Sequence, residues 1–435
     1  MLIDFSCENV WSFKERVTLN LIAEPINELK ASNVFSYKNK INFLKSVAVF
    51  GANASGKSNL IKAIRFFRSF ILESQKESRV GELIPIQNFK LSTETENKTS
   101  FFEIRFITDD NLFRYGFEVT NNKIIKEWLH RRTGPSIREA ELFHREEQNI
   151  NIGGYFSEGR GLEAKTRENA LFLSVVAQWN GPIATKIIGW ITNLNVISGL
   201  ENDLYLNYTV NNIQKDAEFR NKVIQLIKIA DLGIKDLDIK MDIITREKLP
   251  KDMPDAIKDL IFSDKAELSR LEIQSVHEKF DEDKNFLGNV KFSMEENESK
   301  GTKQYFTLAG PVVDTLINGK VLIIDELDSK LHPSLVKLIV QMFHSNRINT
   351  KNAQLVFASH NIRLFSENIL RRDQVWFVEK TRFETSDLYS LSDIKIRNKK
   401  IRKDASYERD YMLGKYGAIP NLADLDLEEC WTHNE

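Results

Sequence analysis

Apolar residues recur along this chain with two different periods, and the changes between them predict its elements. Three early apolar runs are typical of β-strands: Leu2–Phe5, Val17–Ile22 and Val47–Phe50. Three later segments alternate apolar and polar residues and are separated by Asp-Asp-Asn and Thr-Asn-Asn turns: 101–107, 113–119 and 123–129. A period of two interrupted by such turns predicts an antiparallel β meander.

Helical periodicity takes over in the middle of the chain and alternates with strands near its end. Residues 168–191 have a helical pattern, and 211–262 carry charged helical patches without sustained heptads. Further on, helix-patterned runs precede short apolar strands: 305–316 before 320–325, and 334–344 before 354–359. Such alternation indicates an α/β fold with a mixed, largely parallel sheet that is buried on both faces. The predicted division is a first lobe, a helical or variable insertion and a second lobe: 1–200, 201–290 and 291–435.

The amino-acid composition limits the cellular compartment and the kinds of partner, but it does not identify the function. The 435 residues include 61 Lys and Arg against 62 Asp and Glu, so a nucleic-acid partner would need a local basic patch. Two cysteines, Cys7 and Cys430, exclude a disulfide framework and favour a reducing compartment. No apolar run approaches the roughly 18 residues of a membrane span, and the N-terminus lacks a signal-peptide layout. We therefore expect a cytoplasmic protein without a membrane partner.

The segment Gly51-Ala-Asn-Ala-Ser-Gly-Lys-Ser58 fits the phosphate-binding pattern G-x-x-x-x-G-K-[ST] without departure. It follows the apolar strand 47–50 and precedes a helix-patterned run from Leu60, which is the context this loop requires. Its backbone N–H groups can wrap a phosphate chain at a helix N-terminus, where the helix dipole favours anions. The sequence therefore predicts a nucleoside triphosphate as the ligand; GTP is an alternative, but no Asn-Lys-x-Asp guanine-binding motif is present, so ATP is the expected nucleotide. The expected nucleotide contacts are Gly51, Asn53, Ala54, Ser55, Gly56, Lys57, Ser58 and Asn59.

Side chains of this loop and of a later strand have the chemistry of nucleotide hydrolysis. We expect Lys57 to reach the β- and γ-phosphates and the Ser58 hydroxyl to bind Mg²⁺. The apolar strand that begins at Val321 ends in the carboxylates Asp325 and Glu326. A buried parallel strand delivers its C-terminal residues to the ligand edge of a sheet. Asp325 would then hold Mg²⁺ and Glu326 would orient or deprotonate the attacking water, the alternative being two solvated turn carboxylates.

A histidine closes the next apolar strand. His360 follows Leu355-Val-Phe-Ala-Ser359, a strand that we expect beside the carboxylate strand. An imidazole at that edge of the sheet can contact a γ-phosphate and act in catalysis. A structural or simply exposed histidine is the alternative. Taken together, the loop, the two carboxylates and His360 predict an ATPase.

The order of these motifs resembles the ABC-type ATPase heads of the RecF, SMC and OLD families. In those families a Glu follows the Walker B Asp, and a switch His closes the next strand. The resemblance implies a signature segment that caps the ATP of a partner, and residues 298–304 fit its place. Ser299 and Gly301 match the usual Leu-Ser-Gly-Gly-Gln, whereas Lys300 and Thr302 depart from it. A hydroxyl at a helix N-terminus can still meet a γ-phosphate in trans, so Ser299, Gly301 and Thr302 are expected contacts; an ordinary helix start is the alternative.

The same resemblance implies three further features. Asp328 to Leu331 would correspond to the D-loop, which runs along the interface between two heads. Gln87 is a candidate for the Q-loop glutamine, although a plain surface glutamine is an equal alternative. Two heads would sandwich two ATP molecules head to tail, as a homodimer or a higher homo-oligomer.

Four strings resemble one branch of these ATPases, the predicted bacterial AAA-like ATPases of the RloA and AbiLi kind: Glu8–Phe13, Ala170–Ala177, Arg371–Phe377 and Tyr411–Pro420. The resemblance spans nearly the whole chain and is weakest from 200 to 290. It implies the ATPase subunit of an antiphage, abortive-infection system. The effector, typically an RloB-like protein, would be a separate polypeptide.

Two other functions are kept as alternatives. A RecF-type or SMC-type DNA-repair ATPase would use the dense basic run 395–403, which is otherwise a solvated surface segment. A self-contained nuclease toxin would need a metal-binding acidic cluster, and none is convincing in the 75 residues after His360. The sequence therefore favours an effector outside this chain.

Overall fold

A computed structural model describes residues 1–38, 40–74, 81–134, 138–199, 203–230, 233–243, 254, 269–366, 369–396, 399–401 and 406–420. The chain divides into two compact units. The first comprises Met1–Leu200, Thr315–Ser329 and Val336–Glu435, and the second comprises Glu201–Asp314 and Lys330–Leu335.

Strands make up most of the regular structure. They are β1 (Leu2–Glu8), β2 (Val17–Asn20), β3 (Val34–Tyr37), β4 (Ile41–Leu44), β5 (Ser46–Phe50), β6 (Ser100–Thr108), β7 (Asn111–Val119), β8 (Ile124–Thr133), β9 (Ala140–Glu146), β10 (Asn149–Ile152), β11 (Leu194–Ser198), β12 (Asp236–Ile243), β13 (Ser269–Phe280), β14 (Phe286–Ser293), β15 (Val321–Asp325), β16 (Gln354–Ala358), β17 (Val375–Lys380), β18 (Ser386–Ser390), β19 (Lys395–Ile396) and β20 (Lys399–Lys400).

The helices are mostly short. They are α1 (Lys30–Asn33), α2 (Lys57–Glu73), α3 (Phe172–Gln178), α4 (Pro182–Thr192), α5 (Asp203–Lys215), α6 (Ala217–Ile229), α7 (Lys300–Asn318), α8 (Pro333–His344), α9 (Arg363–Ser366) and α10 (Tyr407–Met412). Within the described ranges, none of them is both long and apolar enough to cross a bilayer.

A six-stranded sheet forms the centre of the first unit. Its order is β11-β15-β16-β5-β17-β18, and only the edge strand β18 runs antiparallel to its neighbour. Every residue of β5 and β16 is buried, which explains why these strands are nearly continuous apolar runs rather than alternating ones. The predicted α/β fold with a mixed, largely parallel sheet is confirmed. Strand β16 lies between β5 and β15, as expected for the strand that precedes His360.

The predicted meander belongs to a seven-stranded antiparallel sheet of order β10-β9-β8-β7-β6-β1-β2. Helix α2 packs against this sheet through aromatic rings. Phe67 stacks on Phe117 at 5.3 Å between centroids and meets Phe5 edge-on at 5.6 Å. Buried apolar residues recur on α2 at helical spacing: Leu60, Ile64, Phe67 and Ile71. Because α2 begins at the phosphate loop, this aromatic core fixes the helix that carries the loop.

The second unit is helical at its start and then changes character. Helices α5 and α6 lie within the segment 201–290, and the Asp216 carboxylate caps α6 by accepting from the amides of Glu218 and Phe219. A three-stranded antiparallel sheet of order β12-β13-β14 follows, so the structure differs here from a helical insertion. The remaining residues of the insertion lie outside the described part of the chain: 201–202, 231–232, 244–253 and 255–268.

The string Arg371–Phe377 begins in a buried polar network. Arg371 is fully buried, and its guanidinium donates to the Asp373 carboxylate. It also donates to three backbone carbonyl oxygens, those of Glu24, Ile26 and Glu28. Gln374 is buried beside it and donates to the carbonyl oxygen of Ser46, the first residue of β5. These bonds fasten the start of β17 to the strand that leads into the phosphate loop.

Replacing Arg371 with Ala should destabilise the fold strongly. The change leaves the Asp373 carboxylate buried without its cation and three partly buried carbonyl oxygens without this donor. We expect the free energy of unfolding to fall by about 3–5 kcal/mol in urea denaturation. Arg382→Ala removes an exposed guanidinium and should change it by no more than about 0.5 kcal/mol. Equal effects of the two changes would contradict this account of the network.

Candidate functional site

Three parallel strands end at the same edge of the central sheet, and reactive residues follow each of them. Strand β5 leads into the phosphate loop, β15 ends at Asp325, and β16 precedes His360. The register pairs Ile324 with Phe357, and Ala358 with Val49, so the three strand ends are level. The edge therefore brings together the loop, the carboxylates and the histidine that the sequence indicates.

The phosphate loop is packed so closely that its glycines have no room for a side chain. A Cβ at Gly51 would overlap the carbonyl oxygen of Val378. A Cβ at Gly56 would overlap the Ser386 hydroxyl and would lie 2.8 Å from the Ser12 hydroxyl oxygen. Gly56 also has a φ of 117° directly before α2, a conformation that L side chains rarely adopt. This loop shape therefore depends on glycine at position 56.

Two serines from distant segments brace the loop, and neither is among the predicted site residues. The Ser386 hydroxyl donates to the carbonyl oxygen of Ser55 at 2.6 Å, and its amide donates to the carbonyl oxygen of Ser12 at 2.7 Å. The Ser12 hydroxyl accepts from Asn59 Nδ2 at 2.9 Å. Neither serine belongs to a phosphate-binding motif. The one available signal was the string Glu8–Phe13, which contains Ser12.

Lys57 is the buried cation of the loop. Its ammonium group donates to the carbonyl oxygens of Gly51 at 2.9 Å and Ala52 at 3.0 Å. Burial lowers the pKa of Lys57. Three carboxylates oppose that shift: Asp325, Asp328 and Glu326. The loop thus holds its lysine beside the carboxylates at the sheet edge, where a phosphate chain needs a cation.

Ser58 and Asp325 provide adjacent oxygen atoms. The Ser58 hydroxyl donates to Asp325 Oδ1 at 3.2 Å, although the two residues are 267 positions apart in the chain. Mg²⁺ prefers hard oxygen ligands and is usually held by one or two protein oxygens together with phosphate and water. A hydroxyl beside a carboxylate fits that donor chemistry. Ser58 and Asp325 are therefore the residues that would hold Mg²⁺.

The turn after β15 joins the carboxylates to the histidine. Glu326 has a φ of 54°, in the left-handed region, and its carbonyl oxygen accepts from the Ser329 amide at 3.0 Å. Asp328 Oδ2 accepts from the backbone amide of His360 at 2.9 Å. The other carboxylate oxygen, Asp328 Oδ1, is buried and has no hydrogen-bond partner within the described residues. A buried oxygen in that state is a ready acceptor for a water or a ligand donor.

The His360 side chain is exposed at this edge of the sheet. Partial desolvation lowers the pKa of His360, and the Lys57 cation lowers it further. Three carboxylates act in the opposite direction: Asp328, Glu326 and Asp325. These five groups therefore share one electrostatic environment. An imidazole with a lowered pKa is neutral at neutral pH and can donate one hydrogen bond, as contact with a γ-phosphate oxygen requires.

Other predicted nucleotide contacts lie around this centre. Asn53 and Ala54 are exposed at the crest of the loop. The Ser55 hydroxyl is buried and has no hydrogen-bond partner among the residues that the structure describes. Gln87 is exposed, and its backbone carbonyl oxygen accepts a hydrogen bond from the Trp11 backbone amide at 2.9 Å. The structure thus attaches the Gln87 segment to the residue next to Ser12, and its role at the phosphates stays a prediction.

The signature segment lies in the second unit, at the N-terminus of α7. The Ser299 hydroxyl accepts from the Thr302 amide at 3.0 Å and lies 2.8 Å from the Thr302 hydroxyl, so Ser299 caps the helix. A Cβ at Gly301 would lie 2.9 Å from the carbonyl oxygen of Lys330, in the predicted D-loop. The segment is an ordered helix start packed on the D-loop.

Replacing Gly56 with Ala should weaken nucleotide binding. The added Cβ overlaps a brace of the loop, and the positive φ adds backbone strain. If the loop shape is needed for phosphate contact, the Kd for a fluorescent ATP analogue should rise by about tenfold or more. Gly154→Ala is the matched control, because a Cβ at Gly154 meets only open space. An unchanged Kd in Gly56→Ala would contradict the described role of the loop.

The chain matches one family of known proteins and is similar to several solved structures. A model of the family described as "AAA domain, putative AbiEii toxin, Type IV TA system" matches residues 46–366. Among solved structures, the chain is similar to the SMC head domain from Thermotoga maritima, with 12% identity, a TM-score of 0.40 and coverage of 91% of this chain and 99% of that one. It is also similar to the recombination mediator protein RecF-ATPrS in the RecFOR pathway, with 12% identity, a TM-score of 0.28 and coverage of 89% and 98%. No curated protein matches the chain significantly.

Proposed function

The chain belongs to the family described as "AAA domain, putative AbiEii toxin, Type IV TA system", and we propose that it hydrolyses ATP as a dimerising switch. The observation that carries this proposal is the 3.2 Å contact between Ser58 and Asp325. It joins the loop that binds phosphate to the strand that ends in carboxylates. Without that junction, the two motifs would be separate features of the sheet edge.

In this mechanism each residue acts on the phosphate chain of ATP. Backbone N–H groups of the loop bind the phosphates, and Lys57 neutralises the β- and γ-phosphates. Mg²⁺, held by Ser58 and Asp325, would supply further neutralisation of phosphate charge. Glu326 accepts a proton from the water that attacks the γ-phosphorus, and the bond to the β–γ bridging oxygen breaks. His360 donates a hydrogen bond to a γ-phosphate oxygen.

We propose that a second copy of this chain completes the site. The signature segment of that copy would meet the γ-phosphate with the first turn of its α7, capped by Ser299. The packing of Gly301 on the Lys330 carbonyl oxygen supports this, because it holds one end of the D-loop against the signature segment. Binding of the γ-phosphate in trans would close the dimer, and hydrolysis would release it. The output of ATP hydrolysis is then a change in assembly.

The biological role that fits this switch is phage defence by abortive infection. Four strings resemble ATPases of the RloA and AbiLi kind, and the description of the matched family names a toxin–antitoxin system. We propose that the ATP-bound dimer gates a separate, RloB-like effector in the cytoplasm. Phages should form fewer plaques on cells that express this chain together with the product of its neighbouring gene. Lys57→Ala should restore plating, and full protection by that variant would contradict an ATP-gated effector.

A DNA-repair function of the RecF or SMC type is the second candidate, and it depends on the basic run 395–403. Of this run, Arg397, Arg402 and Lys403 lie outside the described residues, and Lys395 is exposed. ATP-dependent, salt-sensitive DNA binding that is lost when the run is neutralised would favour this function. Degradation of RNA or DNA by the purified chain with ATP and Mg²⁺ would instead favour a self-contained toxin.

A further inference from the structure

Three polar side chains tie strand β13 to the residue just before the capped start of α7. The Ser275 hydroxyl donates to Glu298 Oε1 at 2.5 Å, and His277 Nε2 lies 2.8 Å from the same oxygen. The His277 ring also meets Phe292 edge-on at 5.2 Å between centroids, which fixes its orientation. Ser275 is fully buried, and the Glu298 side chain is only 11% exposed. This is an ordered cluster and not a chance surface contact.

The position of Glu298 in the chain gives this cluster its importance. Glu298 directly precedes Ser299, the cap of α7. The first amides of a helix have no partner within the helix, so those of Lys300 and Gly301 remain donors at that end. Together with the helix dipole they favour an anion. A carboxylate one residue away would repel the same anion unless hydrogen bonds hold it away from the helix start.

We propose that His277 and Ser275 are positioning residues that hold the Glu298 carboxylate on β13, away from the first turn of α7. The helix start then stays open to the γ-phosphate of a nucleotide bound by a second copy of this chain. The inference rests on the proposed function, because it assigns a role within the composite ATP site. The sheet β12-β13-β14 would then control where the negative charge of Glu298 lies relative to the signature segment.

The test compares His277→Ala with a matched control. His144 also lies on a strand and within 3.4 Å of a glutamate, Glu146, but far from any predicted site residue in the chain. We expect His277→Ala to lower kcat for ATP hydrolysis by about tenfold, with the Kd for a fluorescent ATP analogue unchanged. His144→Ala should leave both quantities unchanged. Circular dichroism and the melting temperature show whether each variant is folded.

Rescue distinguishes charge positioning from a merely structural role. In the double variant His277→Ala/Glu298→Gln the misplaced carboxylate charge is absent, so kcat should return towards the wild-type value. A kcat in His277→Ala equal to that of wild type, or a double variant as slow as the single one, would overturn the inference. Failure of the proposed function has a different signature: Glu326→Gln would then stay monomeric with ATP, whatever His277→Ala does.

Discussion

Replacing Lys57 with Ala is expected to abolish ATP hydrolysis. Lys57 is the cation that the loop buries beside three carboxylates, and its ammonium group is already directed by the carbonyl oxygens of Gly51 and Ala52. The variant keeps the carboxylates and loses the charge that balances them. The phosphate chain, itself negative, would then enter a site dominated by negative charge. We expect phosphate release to fall by at least about a hundredfold.

The measurement is steady-state phosphate release, with nucleotide affinity determined separately. Lys62→Ala is the matched control, because Lys62 lies on the same helix and its side chain is exposed. It should hydrolyse ATP at the wild-type rate. Since Lys57 is buried at a cost in desolvation, the loss of activity in Lys57→Ala should occur without a loss of thermal stability. A variant that is folded and still active would contradict the assignment of the loop lysine.

Replacing Glu326 with Gln is the second change with a large expected effect. The amide has nearly the same shape as the carboxylate but cannot accept a proton from water. The left-handed turn that presents Glu326 after β15 should persist, because its closing bond from Ser329 uses the backbone. We expect kcat to fall by about 10²–10⁴-fold with ATP affinity retained. Glu73→Gln, at the exposed end of α2, should behave as wild type.

The two variants separate binding from chemistry. Lys57→Ala should impair both nucleotide affinity and hydrolysis, whereas Glu326→Gln should impair hydrolysis alone. If Glu326→Gln hydrolysed ATP at the wild-type rate, another group would have to activate the water. Asp328, whose buried Oδ1 has no hydrogen-bond partner in the described part of the chain, would then be the residue to examine, and Asp328→Asn would be the next variant.

The centre of the site could be predicted from sequence because its signals are local. A phosphate loop requires glycines, a lysine and a hydroxyl at fixed spacing, and a strand that is buried on both faces is a run of apolar residues. Strands β5, β15 and β16 are of this kind, so the residues after them could be placed at one edge. The alternating strands β6 to β8 could be predicted equally well, because each packs one face on the core.

Two kinds of feature could not be predicted from the sequence: contacts between residues far apart in the chain, and strands that are exposed to solvent. Ser12 and Ser386 brace the loop from positions far along the chain, and a serine carries no pattern of its own. The string that begins at Arg371 showed a family likeness, but its hydrogen bonds to backbone carbonyl oxygens follow no sequence period. Strand β14 is largely exposed along its length, and its apolar Val290 and Phe292 alternate with polar residues over a run too short to distinguish it from a loop.

In the proposed mechanism, one chain binds ATP and a second chain completes the site around it. Light scattering on Glu326→Gln tests it most directly, because this variant should bind ATP without consuming it. We predict a monomer mass without nucleotide and twice that mass with ATP and Mg²⁺, and no such change in Lys57→Ala. A Glu326→Gln protein that binds ATP and keeps the monomer mass would contradict the account.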